Sequence, residues 1–418
     1  MSQPQPHPER PAGPADRARP TQAVILAGGR GTRLGDLTNT RPKPMVECHG
    51  KPFLEYIVCL LRDEGFDRVL MLLGYLPDVI QQHFGDGSRW GVRIDYSITS
   101  PDDLTWQRLH AAIDLIDPYF LLLYCDNYWP MRFEPMWTQF VAAGLPAMVT
   151  VYRNTDNYSR DNVRVAADGR VAAFDRTRTM TGLRGVEIGY AVVDKAVFNL
   201  RPADSPAMFE DAVYPTLSAR GELLAYLTDH RYYSVGSLER LPVTEKFFSN
   251  PATVFLDRDG VINRRPARGE YVRHPGEFEW LPGSLAALKT LADAGHHIVI
   301  VTNQAGVARE VMTGEELSAL HHWMETEILR AGGRIDGIYC CTHAWDDGCS
   351  CRKPNPGLLF QAQHDFNVDL RRAVFIGDDD RDRGAAEAAG TAFELVTVDR
   401  SLADIVAALP AGASLVTA

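Results

Sequence analysis

The chain has 418 residues, too many for one ordinary domain, and 45% of them are apolar, as in soluble globular proteins. A formal net charge of -11 argues against a nucleic-acid surface, and the longest apolar runs are too short to span a bilayer, so neither nucleic acid nor a membrane is expected as a partner. Seven cysteines, an odd number, without an export signal favour a metal site over disulfides and a cytoplasmic location.

The first 22 residues differ in composition from the rest of the chain. They are rich in Pro, Gln and Arg and lack an apolar run, which predicts a disordered tail. After them, short apolar strands alternate with helical segments in both halves, so we expect an α/β fold with three-layer, Rossmann-like domains. The junction is expected near the Asn250–Pro251 break, between a first domain over residues 23–248 and a second over residues 249–418.

A phosphate-binding turn is expected after the first strand. The apolar residues 23–26 run directly into Gly28 and Gly29, and Arg33 follows five residues after the first glycine. Glycines let backbone N–H groups close around phosphate oxygens, and the arginine supplies positive charge. Further on, Lys43 lies between two prolines, which restrict the backbone and help to aim its ammonium group at a phosphate.

These segments resemble the sugar-phosphate nucleotidyltransferases, through LAGGRGTRL (26–34), RPKPM (41–45) and GKPFLEYIV (50–58). The resemblance implies a mixed sheet and a reaction that joins a nucleoside triphosphate to a sugar 1-phosphate. It also implies that Arg33 holds the leaving pyrophosphate, that Lys43 steadies the phosphates, and that Asp126, after an apolar strand, binds magnesium.

The first half departs from this family at two places. The Gly-Thr-Gly-like segment that lies against the nucleotide base is replaced by residues 100–106, and Ser234 stands where a second metal carboxylate is usual. A hydroxyl is a poor ligand for magnesium, although another acid such as Asp229 could compensate. A sugar-binding domain without catalytic activity is therefore the alternative for this half.

The second half opens on a strand followed by two acids. The apolar residues 254–256 lead into Asp257 and Asp259, and Gly260 allows a sharp turn. Ligands bind at the carboxyl ends of strands in open α/β sheets. Two carboxylates one residue apart suit phosphoryl transfer, in which one attacks phosphorus and the other moves a proton.

Two further strand ends carry polar side chains. Residues 297–301 are followed by Thr302 and Asn303, whose hydroxyl and amide groups suit phosphate oxygens. Residues 373–376 are followed by Asp378 and Asp382, which would complete a magnesium site with Asp257 because magnesium prefers oxygen ligands.

A zinc loop is expected between these two strand ends. Cys341, His343, Cys349 and Cys351 offer three thiolates and one imidazole, a closed tetrahedral set that indicates structural zinc. Cys340 should point to the other side of its strand. The basic pair Arg352 and Lys353 follows directly, where positive charge would reduce the repulsion between phosphate and carboxylate.

In this order, the segments resemble the haloacid-dehalogenase phosphohydrolases, and the zinc loop indicates the branch with histidinol phosphatase and the heptose 1,7-bisphosphate 7-phosphatases. The resemblance implies a parallel sheet and magnesium at Asp257, the carbonyl of Asp259 and Asp378, supported by Asp382. The remaining roles that it implies are phospho-aspartate at Asp257, general acid and base at Asp259, phosphoryl binding at Thr302 and Lys353, and substrate contact at Asn303 and Arg352.

Three hypotheses follow. The first is a bifunctional enzyme that removes the 7-phosphate of D-glycero-D-manno-heptose 1,7-bisphosphate and then activates the 1-phosphate with a nucleoside triphosphate. The second is the same phosphatase, or a histidinol phosphatase, with a sugar-binding first domain that has no activity of its own. The third, a zinc-stabilised interaction protein without turnover, is disfavoured by the intact acids Asp257, Asp259 and Asp378.

Overall fold

The computed structural model of the protein describes residues 17–410, which form two compact units divided between Glu245 and Lys246. Residues 1–16 of the predicted disordered tail lie outside the described residues. Residues 17–22 of that segment contact the first unit: Arg17 Nη1 donates to the carbonyl of Leu145 at 3.0 Å, and the Arg19 guanidinium lies 5.0 Å from the Phe133 ring centre. A guanidinium binds both carbonyl oxygens and aromatic faces.

The first unit is built on a mixed sheet of seven strands. Its order is β12-β8-β11-β6-β1-β4-β5, and all neighbours run parallel except those of β11, which is antiparallel to both β6 and β8. The strands of this unit, including short ladders outside the main sheet, are β1 (Gln22–Ala27), β2 (Glu47–Cys48), β3 (Lys51–Pro52), β4 (Arg68–Leu73), β5 (Arg93–Ile98), β6 (Tyr119–Tyr124), β7 (Asn127–Tyr128), β8 (Ala147–Tyr152), β9 (Val163–Val165), β10 (Val171–Phe174), β11 (Val186–Asp194), β12 (Leu223–Thr228) and β13 (Tyr233–Ser234).

Helices cover this sheet because its central strands are apolar on both faces. Val24 and Leu26 pack with Leu109 of one helix and Phe209 of another, while Ala23 and Ile25, which point the other way, are also fully buried. The helices are α1 (Phe53–Asp63), α2 (Pro77–Phe84), α3 (Thr105–Ala111), α4 (Phe133–Ala143), α5 (Phe209–Ala219) and α6 (Leu241–Ser249), the last of which continues into the second unit.

The second unit contains a five-stranded sheet in which all strands are parallel. Its order is β16-β15-β14-β17-β18, with β14 in the centre. The strands are β14 (Thr253–Leu256), β15 (His297–Asn303), β16 (Gly337–Cys341), β17 (Val374–Gly377) and β18 (Ala392–Leu395), and the helices are α7 (Ser284–Asp293), α8 (Gly314–Arg330), α9 (Gly357–Phe366), α10 (Asp380–Ala389) and α11 (Leu402–Ala408).

Alternate residues of β14 enter two separate apolar cores. Val254 and Leu256 pack against residues of α7, α8 and α11, whereas Phe255 packs against residues of α9 and α10. Successive side chains of a strand point to opposite faces, so a fully apolar strand must be covered on both sides. The predicted α/β class, with a mixed sheet first and a parallel sheet second, is confirmed. None of the helices in residues 17–410 is long and apolar enough to cross a membrane.

Candidate active sites

Two strand ends and the start of a helix bring three of the predicted acids of the second unit together. Asp257 follows β14, Asp378 follows the neighbouring β17, and Asp382 lies in the first turn of α10. One carboxylate oxygen of each lies within 4.8 Å of the others. Parallel strands end at the same edge of a sheet, which is why residues more than 120 positions apart converge here. The oxygen-only ligand set fits Mg²⁺.

Glycine is required at position 260 because the carboxylate of Asp378 lies close to it. Gly260 has a φ of +96°, and a Cβ at this position would overlap the carboxylate of Asp378. A residue with a side chain would therefore be strained in its backbone and would displace an acid of the site.

Lys353 is buried between two of these acids. Its Nζ lies 3.0 Å from Asp257 Oδ1 and 2.6 Å from Asp382 Oδ1, and it donates to the carbonyl of Val301 at 2.9 Å. Burial by itself lowers the pKa of Lys353, but the charges of Asp257 and Asp382 outweigh that effect and raise it. The lysine therefore stays charged although only 2% of its side chain is exposed.

Burial makes the ionisation of two of these acids costly. Burial, together with the charges of Asp382 and Asp259, raises the pKa of Asp257 to about 7 against the attraction of Lys353. Burial also raises the pKa of Asp378 to about 6, although the Arg265 guanidinium donates to its Oδ1 at 2.5 Å. A divalent cation bound by the acids would favour their ionised forms.

Asp259 lies apart from the three acids in a different environment. Its carboxylate accepts hydrogen bonds from the buried Arg258, from Asn263 Nδ2 at 2.9 Å and from Gln304 Nε2 at 2.8 Å. Burial acts to raise the pKa of Asp259, but the Arg258 charge and these hydrogen bonds lower it. Arg258 in turn contacts His321 Nε2 at 3.1 Å. Sequence reasoning missed this support, because an arginine between two aspartates reads as solvent-exposed.

The predicted phosphate-binding residues line one cavity above these acids. The cavity has a volume of about 730 Å³, and its lining includes Thr302, Asn303, Arg352 and Lys353. Asn303 also braces the lysine segment, because its Nδ2 donates to the carbonyl of Lys353 and its Oδ1 accepts from Lys353 N, both at 3.1 Å. Arg352 Nη1 is buried without a hydrogen-bond partner among the described residues, so it is available to an anion.

The four predicted zinc ligands form a compact cluster. Sγ of Cys341 lies 3.7 Å from Sγ of Cys349 and from Nδ1 of His343, and Sγ of Cys351 lies 3.5 Å from Sγ of Cys349 and 3.2 Å from the same imidazole nitrogen. Zn–S bonds of about 2.3 Å in a tetrahedron place the sulfur atoms roughly 3.8 Å apart, so the cluster fits zinc. Cys340 does not belong to it, and its Sγ lies 3.7 Å from Nδ1 of His321.

The first unit brings its predicted lysine and acid into contact. Lys43, which is 9% exposed, forms an ion pair with Asp126. A Cβ on Gly236 would lie within 3.9 Å of Lys43 Nζ, Asp126 Oδ2 and Ser234 Oγ, so these three groups surround one point. Ser234 Oγ accepts from Gly236 N at 2.9 Å.

Two other acids of the first unit could contribute to a metal site, Asp229, which the sequence suggested, and Glu187, which it did not. Asp229 pairs with Arg153 Nη1 at 2.6 Å, whereas Glu187 is close enough to Asp126 for that charge to affect it. Burial, followed by the charges of Glu210 and Asp126, raises the pKa of Glu187 to about 8. Glu187 is thus a buried acid on which the charge of Asp126 acts. Among residues 17–410, no group of three close acidic, histidine or cysteine ligands includes Asp126.

The predicted glycines serve a packing role as well. A Cβ on Gly28 would overlap the guanidinium of Arg108, a buried residue that donates to the carbonyls of Leu73 at 2.8 Å and Ser100 at 2.7 Å. Gly29 has no close neighbour, and Arg33 is exposed in the 3-10 segment Thr32–Thr38. The buried guanidinium of Arg108 therefore packs against the glycine turn, a contact that sequence reasoning missed.

The two units are similar to different families of known proteins. Residues 22–175 match the nucleotidyl transferase family model, and residues 350–416 match a haloacid-dehalogenase-hydrolase-like model. The chain is 41% identical over 143 residues to a D-glycero-beta-D-manno-heptose-1,7-bisphosphate 7-phosphatase of Bordetella bronchiseptica, covering 34% of this chain and 79% of that protein.

Two further similarities concern the same class of phosphatase. A D-glycero-alpha-D-manno-heptose-1,7-bisphosphate 7-phosphatase of Mycobacterium tuberculosis is 45% identical over 106 residues, 25% of this chain and 55% of that protein. The crystal structure of the B. bronchiseptica D,D-heptose 1,7-bisphosphate phosphatase, complexed with magnesium and phosphate, is 34% identical, with a TM-score of 0.35 over 37% of this chain and 96% of that one.

Proposed function

Through its second unit the chain belongs to the D-glycero-D-manno-heptose-1,7-bisphosphate 7-phosphatase family, and from this premise we propose that it hydrolyses the 7-phosphate of such a bisphosphate. We further propose that the first unit is a sugar 1-phosphate nucleotidyltransferase. The phosphatase product is a heptose 1-phosphate, the class of substrate that such a transferase consumes. The two units would then catalyse successive steps.

The observation that carries the phosphatase proposal is the position of Lys353. A buried ammonium 3.0 Å from Asp257 and 2.6 Å from Asp382 neutralises a site that otherwise concentrates carboxylates. Such a site can accept the negative charge of a phosphate beside an anionic nucleophile. A structural ion pair would not require Asp378 and a cavity of about 730 Å³ in the same place.

In the first step an oxygen of Asp257 attacks phosphorus, and the bond from phosphorus to the sugar oxygen breaks. Asp259 gives its proton to the departing sugar oxygen, so the sugar leaves as a neutral alcohol and the aspartate carries the phosphoryl group. Thr302 and Lys353, which line the cavity, bind the phosphoryl oxygens.

In the second step Asp259 takes a proton from a water molecule, whose oxygen attacks the phosphorus of the acyl phosphate. The bond to Asp257 breaks, inorganic phosphate leaves, and both aspartates return to their starting forms. Arg258, Asn263 and Gln304 orient the Asp259 carboxylate and favour its ionised form once its proton has passed to the sugar oxygen, so that it acts as the base of this second step. Mg²⁺, which Asp257, Asp378 and Asp382 would hold, neutralises phosphoryl charge when bound.

The charges around the cavity favour a bisphosphate over histidinol phosphate. Among residues 17–410, Arg268 and Arg352 line the cavity and have no carboxylate within ion-pair distance. A second phosphate can pair with these two arginines, whereas the ammonium group of histidinol phosphate cannot. Zinc at the four-ligand cluster would fix the loop from which Arg352 and Lys353 extend.

A second candidate concerns the first unit alone. The Lys43–Asp126 ion pair and Ser234 favour a domain that binds a phosphorylated sugar without nucleotidyl transfer, because the lysine already occupies the acid that magnesium would need.

Two measurements test these proposals. Phosphate release is followed with heptose 1,7-bisphosphate, of either anomer, and with histidinol phosphate, using Asp257→Asn as the inactive control. We expect release from the bisphosphate, and a preference for histidinol phosphate would refute the substrate assignment. Pyrophosphate release is then followed with heptose 1-phosphate and each common nucleoside triphosphate, with Asp126→Asn as the control. No release with any of them leaves only the second candidate.

A further inference from the structure

The phosphatase cavity has one large apolar side chain at its rim that the chemistry above does not use. Trp345 lines the cavity together with Asp257 and Lys353, and 53% of its surface is exposed. The floor of the cavity consists of charged and polar groups that bind phosphate. A single exposed indole is ordinary on a protein surface, but one that lines a polar cavity offers an apolar contact to whatever binds there.

The indole is held in place from its own loop. Trp345 lies two residues after the zinc ligand His343 and four before Cys349, so the loop is anchored at both ends. Within it, Ala344 N donates to Asp347 Oδ2 at 2.7 Å. A short anchored segment of this kind limits the positions that the ring can take relative to the acids.

Arg309, which lies in a second loop, also contacts the Trp345 ring. The Arg309 guanidinium lies 4.9 Å from the centre of the Trp345 ring and 5.8 Å from that of Tyr271, and its Nη1 donates to Tyr271 Oη at 3.3 Å. The Tyr271 ring packs directly on Gly306, where a Cβ would lie 2.9 Å from it. Three loops are thus joined through one cation between two aromatic rings.

We propose that Trp345 is a specificity-determining platform for the carbohydrate ring of the substrate. The pyranose ring of a sugar bisphosphate has an apolar C–H face between its two phosphates, and a held indole offers a matching flat apolar surface. Phosphate at the floor and sugar on the indole would align the leaving oxygen with Asp259. This inference rests on the proposed phosphatase function and adds the part of the substrate that the acids and arginines do not recognise.

The test compares two substrates in the full-length, magnesium-supplied protein. Trp345→Ala removes the platform, and Trp345→Phe keeps an aromatic face. Heptose 1,7-bisphosphate has the ring, and acetyl phosphate reports the same phosphoryl chemistry without a ring. For Trp345→Ala we expect KM for the bisphosphate to rise about tenfold, with kcat changed less than twofold and acetyl phosphate turnover unchanged. For Trp345→Phe the rise in KM should stay below about threefold.

The outcomes distinguish failure of the Trp345 platform from failure of the phosphatase function. Unchanged KM for the bisphosphate in Trp345→Ala overturns the platform and leaves the phosphatase function standing. An equal loss on both substrates in both variants also overturns it, because the tryptophan would then only stabilise the loop. No turnover of the bisphosphate by the unmodified protein overturns the phosphatase function and this inference together.

Discussion

The charge of Asp257 opposes folding when no divalent cation is bound, and Asp257→Asn measures this effect. The carboxyl has an ordinary pKa of 3.8 and a pKa of about 7 in the folded protein, mainly because of burial. A raised pKa means that the folded state binds more protons than the unfolded state, so stability is lost as pH rises from about 4 to about 7. Three pKa units correspond to about 4 kcal/mol.

The variant is isosteric and cannot ionise, so it lacks this dependence, although it also loses the attraction of Lys353 for Asp257. That attraction is already included in the folded pKa of about 7, so it does not change the size of the expected pH dependence. From pH 5 to about pH 7 the carboxyl is protonated in the folded state and ionised in the unfolded state. Over these roughly two pH units the folded state therefore loses about 3 kcal/mol of stability. We therefore expect the stability of Asp257→Asn relative to the unmodified protein to be about 3 kcal/mol more favourable at pH 8 than at pH 5.

Hydrogen exchange of peptides covering β14 gives the opening free energy of the second unit alone. The buffer contains no magnesium and no chelator, so that zinc stays bound at the cysteines. Saturating magnesium should then stabilise the unmodified protein and leave Asp257→Asn nearly unchanged, because binding to the folded state alone stabilises it. A stability difference that does not vary with pH, or one that shifts towards the unmodified protein between pH 5 and pH 8, would refute the reasoning.

Three further changes test the remaining parts of the molecule. Lys353→Met should abolish phosphate release and destabilise the second unit by roughly 3–5 kcal/mol, because the buried carboxylates of Asp257 and Asp382 lose their shared ion-pair partner. Urea unfolding measures the loss of stability, and a variant as stable as the unmodified protein would contradict the prediction. Cys351→Ser should lower the zinc content, determined by atomic emission, from about one ion per chain and slow phosphate release, with the non-ligand Cys340→Ser as the matched control that keeps both. Ser234→Asp should increase pyrophosphate release by at least tenfold if the missing carboxylate limits the first unit, and an unchanged rate would point to the Lys43–Asp126 ion pair as the cause.

The local sequence pattern was sufficient to predict some features of the fold and of the candidate sites. The acids after β14 and β17 follow apolar runs of strand length, and parallel strands place such ends at one edge whatever the details of the loops. The zinc cluster is similarly determined, because its ligands lie within eleven residues and only a compact loop can bring them together. In these cases the number of possible arrangements is small.

Other features depend on contacts between distant segments and could not be read from any one stretch. The chain alone does not reveal that Arg258 points inward to clamp Asp259, or that Arg108 fills the space beneath Gly28. The same holds for the burial of Glu187 and for the pairing of Asp229 with Arg153. Burial and partner choice set the charge state of each of these groups, and both are properties of the packed structure.

The sequence by itself determined the two α/β domains, the strand-end acids and the cysteine–histidine cluster, since each follows from short-range periodicity or spacing. Only the tertiary structure decided which charges neutralise each other. Lys353 is 96 residues from Asp257 in the chain and yet 3.0 Å from it in the fold, because the loop after the zinc ligands returns to the end of β14. That return places a buried cation beside the predicted nucleophile, and no local pattern specifies it.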